Sequence, residues 1–174
     1  MERRITTYIP YGINENLANA YNQCILAADT EWVLLLDHDV FISLNPKWYE
    51  MCLKAIENVD DSVGMITCLE YGRNGFDIEG PNSDCLEVHI EYAREVYKKY
   101  GNTLVEADDS KMAGFFMLVR KSLNKKYPFL SMGKGVNKID HNFCKRIMED
   151  DYKIMIMKGL YVYHRRGVRK LKWD

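Results

Sequence analysis

Apolar positions fall into two rhythms along the chain, one of strands and one of helices. Residues 4–9 (RITTYI) form a β-branched run stopped by Pro10 and Gly12, which predicts a short strand. Over residues 14–28, Leu17, Ala20, Tyr21, Cys24, Ile25 and Ala28 recur at helical spacing, with Asn14 placed to cap the helix. Residues 31–36 (EWVLLL) are continuously apolar and too short for a helix, the pattern of a parallel strand buried on both faces. A second helix follows Asn45-Pro46, with Trp48, Cys52, Leu53 and Ile56 on one side. Residues 63–69, 104–107 and 115–120 read as strands and 85–100 as a helix between Asp84 and Gly101. Residues 140–149 suit a last helix, and 153–157 and 160–163 suit two terminal strands. The stretches 71–83 and 131–138, rich in Gly, Asn and Pro or Gly and Lys, read as loops. With no repeat and no linker, this predicts one α/β domain over residues 1–174.

Composition narrows the class of function. Of 174 residues, 47% are hydrophobic and 28% charged, which is globular composition. Lys+Arg number 24 against 25 Asp+Glu, so there is no global basic field and no general nucleic-acid binder is expected. No apolar run approaches the ~20 residues that span a bilayer, and MERRITTYIP lacks the apolar core of a secretory signal. The five cysteines are an odd number without a CxxC pair, which suggests free thiols in a reducing cytoplasm rather than a zinc or disulfide framework.

The chemistry gathers at element ends. The run 31–36 empties into Asp37-His38-Asp39. In extended backbone, side chains two residues apart share a face about 6–7 Å apart. Two carboxylates at that distance repel by ~2–3 kcal/mol at an effective dielectric near ~20. A divalent cation beside them reverses the sign, and hard oxygen ligands suit Mn²⁺ or Mg²⁺. Open α/β sheets bind ligands at the carboxyl ends of strands, where this pair falls. The alternative is a solvated turn. Asp140-His141-Asn142 opens the helix at 140–149, where Asp140 is either a helix cap worth about 1 kcal/mol or a reactive group. His164 closes the apolar run LYVY, either as a structural histidine or as a neutral metal ligand.

Taken in order, these segments resemble glycosyltransferase family 2 and related GT-A enzymes. NLANAYNQCILAADTEWVLLLDHDVF is similar to that family's helix, buried strand and DxD motif. GFFMLVRKS at 114–122 is similar to its acceptor-region strand, and IDHNFCKR at 139–146 to its acidic base segment. DYKIMIMKGLYVYH is similar to the closing strands that end in a metal-binding histidine. The resemblance implies a single-domain, GT-A-like (Rossmann-like) α/β fold, a mixed sheet flanked by helices. It implies metal-dependent, inverting transfer of a sugar from a nucleotide-sugar donor to an acceptor hydroxyl on a saccharide or lipid-linked saccharide. Asp39 and His164 would hold the cation, Asp37 the ribose or a metal-bound water, and Asp140, six residues before Arg146, stands in the place of the catalytic base.

The chain departs from the family at two places. Ile139 replaces an acid before Asp140, and Asn142 stands at the second acidic position. The helix and two strands that the family carries after its first strand are missing, since Ile9-Pro10-Tyr11 runs almost directly into Asn14. Nucleotide contacts then fall to Tyr8, Tyr11 and Asn16. Glu70, Arg73 and Asn142 are candidate acceptor or sugar contacts, and Gly133 and Gly135 a candidate loop hinge. Basic residues in 165–172 are candidates for contact with the diphosphate or with an anionic membrane surface, a solvated tail being the alternative. The implied location is cytoplasmic, peripheral at the inner face of the membrane. The shortened front end and weakened base motif motivate a competing reading, a catalytically weak or inactive GT-A-like protein that binds a glycan or a partner.

Overall fold

Branched and aromatic runs become strands, and the 3.6-residue stripes become helices, throughout residues 4–11, 16–70, 80–108, 112–131 and 138–165, which the computed structural model describes. In chain order these are β1 (Ile5–Tyr8), α1 (Leu17–Ala27), β2 (Trp32–Leu36), β3 (Val40–Phe41), α2 (Trp48–Glu57) and β4 (Val63–Glu70). Next come α3 (Leu86–Tyr100), β5 (Leu104–Glu106), β6 (Phe116–Arg120), α4 (Ile139–Glu149) and β7 (Lys153–His164), with a 3-10 turn at Lys121–Lys125. The predicted α/β class is observed. The two-residue β3 and the 3-10 turn carry no period long enough to be read in advance.

The seven strands form one mixed sheet in the order β1-β2-β6-β4-β7-β3, with β5 also against β7. β1 is parallel to β2 and β4 to β7, while β6 runs antiparallel to both β2 and β4. The carboxyl ends of β1, β2, β4 and β7 therefore share one edge of the sheet with the amino end of β6.

Alternation along each strand splits the core in two. Val33, Leu35, Met65, Met117 and Val119 meet α1 (Ala18, Tyr21, Ile25), α3 (Ala93, Val96) and α4 (Phe143, Ile147) on one face. Trp32, Leu34, Leu36, Ile66, Cys68, Phe116 and Leu118 meet α2 (Met51, Cys52, Ala55) on the other. All five side chains of β2 are buried, so the strand needs apolar residues at every position, each contributing roughly 1.5–3 kcal/mol when fully covered. Leu53 and Ile56 of α2 are only partly buried, the packed stripe being centred on Met51, Cys52 and Ala55.

The two predicted terminal strands are one twelve-residue strand with an irregularity inside it. Cys68 pairs with Met157, but Leu69 pairs with Tyr161, so Lys158, Gly159 and Leu160 are looped out of the β4 ladder. An odd insertion reverses which side chains face which side. Before it, Ile154 and Ile156 face α1, α3 and α4; after it, Tyr161 faces that side and Val162 faces α2. Glycine is required at the turning point, because a Cβ on Gly159 would lie 1.8 Å from the carbonyl oxygen of Gly101. Gly101 ends α3 at φ +54°, a conformation glycine adopts without strain.

The caps also differ from expectation. Asn16, not Asn14, caps α1, its Oδ1 accepting from the Asn19 amide at 3.1 Å; Asn14 lies outside the described residues. At α4 the capping position is Lys138 at φ +85°, and Asp140 sits in the first helical turn rather than capping it.

Gly159→Ala is expected to lower stability by more than about 2 kcal/mol, because the clash is with backbone that cannot rotate away. Urea denaturation measures this, and a wild-type midpoint would show that the looped-out segment adapts.

Candidate active site

Each of three parallel strands ends its apolar run in a polar residue. Pairing of β2 continues one residue beyond Leu36, with the Asp37 amide donating to the Phe115 carbonyl at 3.1 Å. The backbone then turns, the Val40 amide donating to the Asp37 carbonyl at 3.3 Å. The expected extended Asp37-His38-Asp39 is thus a tight turn. β3 leaves it to pair antiparallel with the end of β7, Val40 opposite His164 and Phe41 opposite Tyr163. The Arg165 amide closes the ladder on the Asp39 carbonyl at 3.0 Å.

This pairing brings residues 125 positions apart into contact. His164 Nε2 lies 3.0 Å from Asp39 Oδ1 and 3.8 Å from Asp37 Oδ2. One ligand atom from each of Asp37, Asp39 and His164 falls within 4.8 Å of the other two. On the other side of the ring, Nδ1 lies 3.5 Å from Oε1 of Glu70, the last residue of β4. Burial pushes the imidazole pKa down, but the contact with Glu70 and the charges of Glu70, Asp39 and Asp37 outweigh it and raise the pKa overall.

The donor set suits a hard or borderline divalent ion. Adjacent ligands on an octahedral cation of ~2.1 Å bond length stand about 3.0 Å apart and opposite ones about 4.2 Å, and the histidine-to-aspartate separations approach this span. Two carboxylates and one imidazole are compatible with Mn²⁺ or Mg²⁺.

The amino end of β6 connects this cluster to α4. Asp140 Oδ2 accepts from the Gly114 amide at 2.6 Å and Oδ1 from the His141 amide at 2.9 Å. Gly114 precedes Phe115, whose carbonyl receives the Asp37 amide and whose ring centroid lies 6.1 Å from that of His164. Asp140 and the Asp37 turn are therefore fastened to adjacent residues. Sequence reasoning missed this role of Gly114; the available signal was a glycine directly before the apolar run FFMLV. A Cβ there would press on Asp140 at 3.0 Å. Asn142 turns toward its own helix, its Oδ1 accepting from Arg146 Nε at 2.9 Å, while Arg146 also donates to the Pro128 carbonyl.

Beside His164 a cleft of about 360 Å³ is lined by Glu70, residues 81–84, His89, Tyr163 and His164. Its wall rests on His89, which sequence reasoning did not single out because nothing in its helical position marks it. His89 Nε2 meets the Ser83 carbonyl at 2.7 Å, so that nitrogen carries the proton, and Nδ1 accepts from the Tyr161 hydroxyl at 2.8 Å. Its ring stacks on Tyr163 at 3.7 Å, and the Tyr163 hydroxyl donates to Asp84 Oδ1 at 3.1 Å.

The remaining candidates are dispersed. Tyr8 is half-buried against the core and Tyr11 is 87% exposed, both by the carboxyl end of β1. The Asn16 side chain is engaged in its cap. Trp48 and Tyr49, aromatic residues at the start of α2 that could have stacked on a sugar, instead pack edge-to-face on each other at 5.5 Å. Arg73, Gly133, Gly135 and 166–172 lie outside the described residues. All five cysteines are free, and burial pushes the Cys52 thiol up to about 12 and the Cys68 thiol well above its usual range. No helix among the described residues is long and apolar enough to cross a membrane.

The sequence profile of glycosyl transferase family 2 matches residues 3–127. The chain belongs to glycosyl transferase family 2. No curated protein sequence matches it. The matched stretch includes Asp37, Asp39, Glu70 and Gly114, while Asp140, Asn142 and His164 lie beyond it. The open, mixed sheet flanked by helices agrees with the GT-A, Rossmann-like fold, and family membership implies glycosyl transfer from a nucleotide-sugar donor to a glycan acceptor in general.

Gly114→Ala is expected to lower stability by about 1–3 kcal/mol by overpacking Asp140. In the double variant with Asp140→Ala the loss should fall short of the sum by at least about 0.5 kcal/mol. Urea denaturation of the four proteins measures the coupling, and strictly additive losses would show that the Asp140 carboxylate does not press on the added methyl.

Proposed function

We propose that this family 2 protein is a divalent-cation-dependent, inverting glycosyltransferase, with Asp39 and His164 as metal ligands, Asp37 as a ligand to ribose or a metal-bound water, and Asp140 as the base. The observation that carries the reading is the convergence of Asp37, Asp39 and His164 from two distant stretches of chain. Mn²⁺ or Mg²⁺ bound there would offset negative charge developing on the leaving nucleoside diphosphate.

The protein's own groups do the rest. Asp140 accepts the proton of the acceptor hydroxyl as that oxygen bonds to the anomeric carbon and the bond from that carbon to the diphosphate breaks. Its carboxylate is aimed by the Gly114 and His141 amides, which hold it without a rotatable side-chain partner. The cleft beside His164, with Glu70 and residues 81–84 in its wall, offers room for saccharide next to the cation ligands. A saccharide or lipid-linked saccharide is the acceptor in this reading. Tyr8 and Tyr11 stand at the same sheet edge and are the candidates for nucleotide contact; Arg165 begins the basic tail proposed to face an anionic membrane.

A thermal-shift panel of UDP-, GDP-, CMP- and dTDP-sugars, each with and without Mn²⁺, tests the donor. The matching donor at a hundred times its dissociation constant adds about 2.7 kcal/mol of stability, and Asp39→Asn is expected to abolish the part that needs Mn²⁺. Metal-dependent donor binding that survives Asp39→Asn sinks the metal assignment. With the donor known, Asp140→Asn is expected to lower kcat by about 10²–10⁴-fold with donor affinity retained; unchanged turnover removes Asp140 as the base.

A further inference from the structure

We infer that Glu70 is a positioning residue for His164, holding the proton-bearing Nδ1 side of the ring so that Nε2 is presented to the cation site. This rests on the metal reading above and deepens it. The ring is bracketed by acids on both sides, with Nε2 facing Asp39 and Asp37 at 3.0 and 3.8 Å and Nδ1 facing Glu70 Oε1 at 3.5 Å. An imidazole ligates through Nε2 only when that nitrogen has lost its proton, and the neutral ring then carries its hydrogen on Nδ1. A carboxylate facing that hydrogen selects the ligating tautomer and makes Nε2 a better electron donor.

The backbone gives Glu70 little freedom to do otherwise. It is paired with Val162 in the β4–β7 ladder. Val162 and His164, two residues apart on β7, share a face, which sets Glu70 diagonally beside the ring. Glu70 is 2% exposed, and a carboxylate so deeply covered is costly unless a cationic or hydrogen-bonding group faces it. The expected acceptor contact requires oxygen atoms open to a sugar. Burial in the lining of the cleft and proximity to the imidazole favour the positioning role.

Calorimetric titration with Mn²⁺ alone tests this on wild type, Glu70→Leu, Glu70→Gln and His164→Ala. Glu70→Leu is expected to weaken Mn²⁺ binding by about 10–100-fold. Glu70→Gln, which keeps an oxygen for the Nδ1 hydrogen but loses the charge, should fall between Leu and wild type, and it carries the test if the leucine variant does not fold. Saturating Mn²⁺ should restore most of the kcat lost in either variant, with the acceptor KM unchanged. Wild-type Mn²⁺ affinity in both Glu70 variants, alongside weakened binding in His164→Ala, overturns the role of Glu70 and leaves the metal reading standing. A raised acceptor KM at saturating Mn²⁺ with unaltered metal affinity also overturns it, in favour of an acceptor contact. Undiminished binding in His164→Ala overturns the metal reading itself.

Discussion

Three carboxylates crowd one imidazole at the carboxyl ends of three parallel strands, and the rest of the site depends on how that crowding is tolerated. Like charges a few ångströms apart repel by several kcal/mol when partly shielded from water. A chain free to move would spread them out. Asp39 is held by the β3–β7 ladder, Glu70 by the β4–β7 ladder and Asp37 by the Phe115 carbonyl, so backbone hydrogen bonds enforce what the side chains oppose. This field holds the imidazole pKa above its ordinary value in spite of burial. Recruitment of a cation is the other response available to the same geometry.

A second constraint decides which side of the sheet receives the imidazole. Had β7 run on in regular alternation through Lys158, Gly159 and Leu160, His164 would carry the parity of Ile154 and Ile156 and point toward α1, α3 and α4. Because those residues are looped out, it shares the face of Val162 and reaches Glu70 and Asp39. The close approach of Gly159 to Gly101 makes the irregularity specific. A packing detail at the end of α3 thereby governs a chemical group at the far end of β7.

The two halves of the candidate chemistry are joined by a very short path. Gly114 holds the carboxylate of Asp140, and Phe115, its neighbour, holds the turn containing Asp37. Both partners are backbone groups at the start of a buried strand, which places acid and turn with little conformational entropy left to lose on substrate binding. The match to family 2 ends at residue 127, before Asp140 and His164, so these two residues rest on the geometry that brings them to the matched part.

Much of this architecture was legible in the chain itself. Continuous apolar runs marked β2 and β4 because strands covered on both faces tolerate polar residues only at their ends, and for the same reason Asp37, Glu70 and His164 stood out at those ends or followed them directly. The terminal pair of strands was legible as apolar, but their fusion was not, since a bulge is decided by contact with Gly101, some sixty residues earlier. Local spacing placed Asp37 and Asp39 on an extended face; cross-strand pairing of Val40 with His164 made the turn instead. Sequence by itself determined the apolar runs of β2 and β4 and the polar residues at which they stop, because burial on both faces is a property of the side chains and their immediate period. Tertiary structure alone decided that Glu70 faces His164 and that Gly114 holds Asp140, because those contacts depend on register and strand order, which no local pattern encodes.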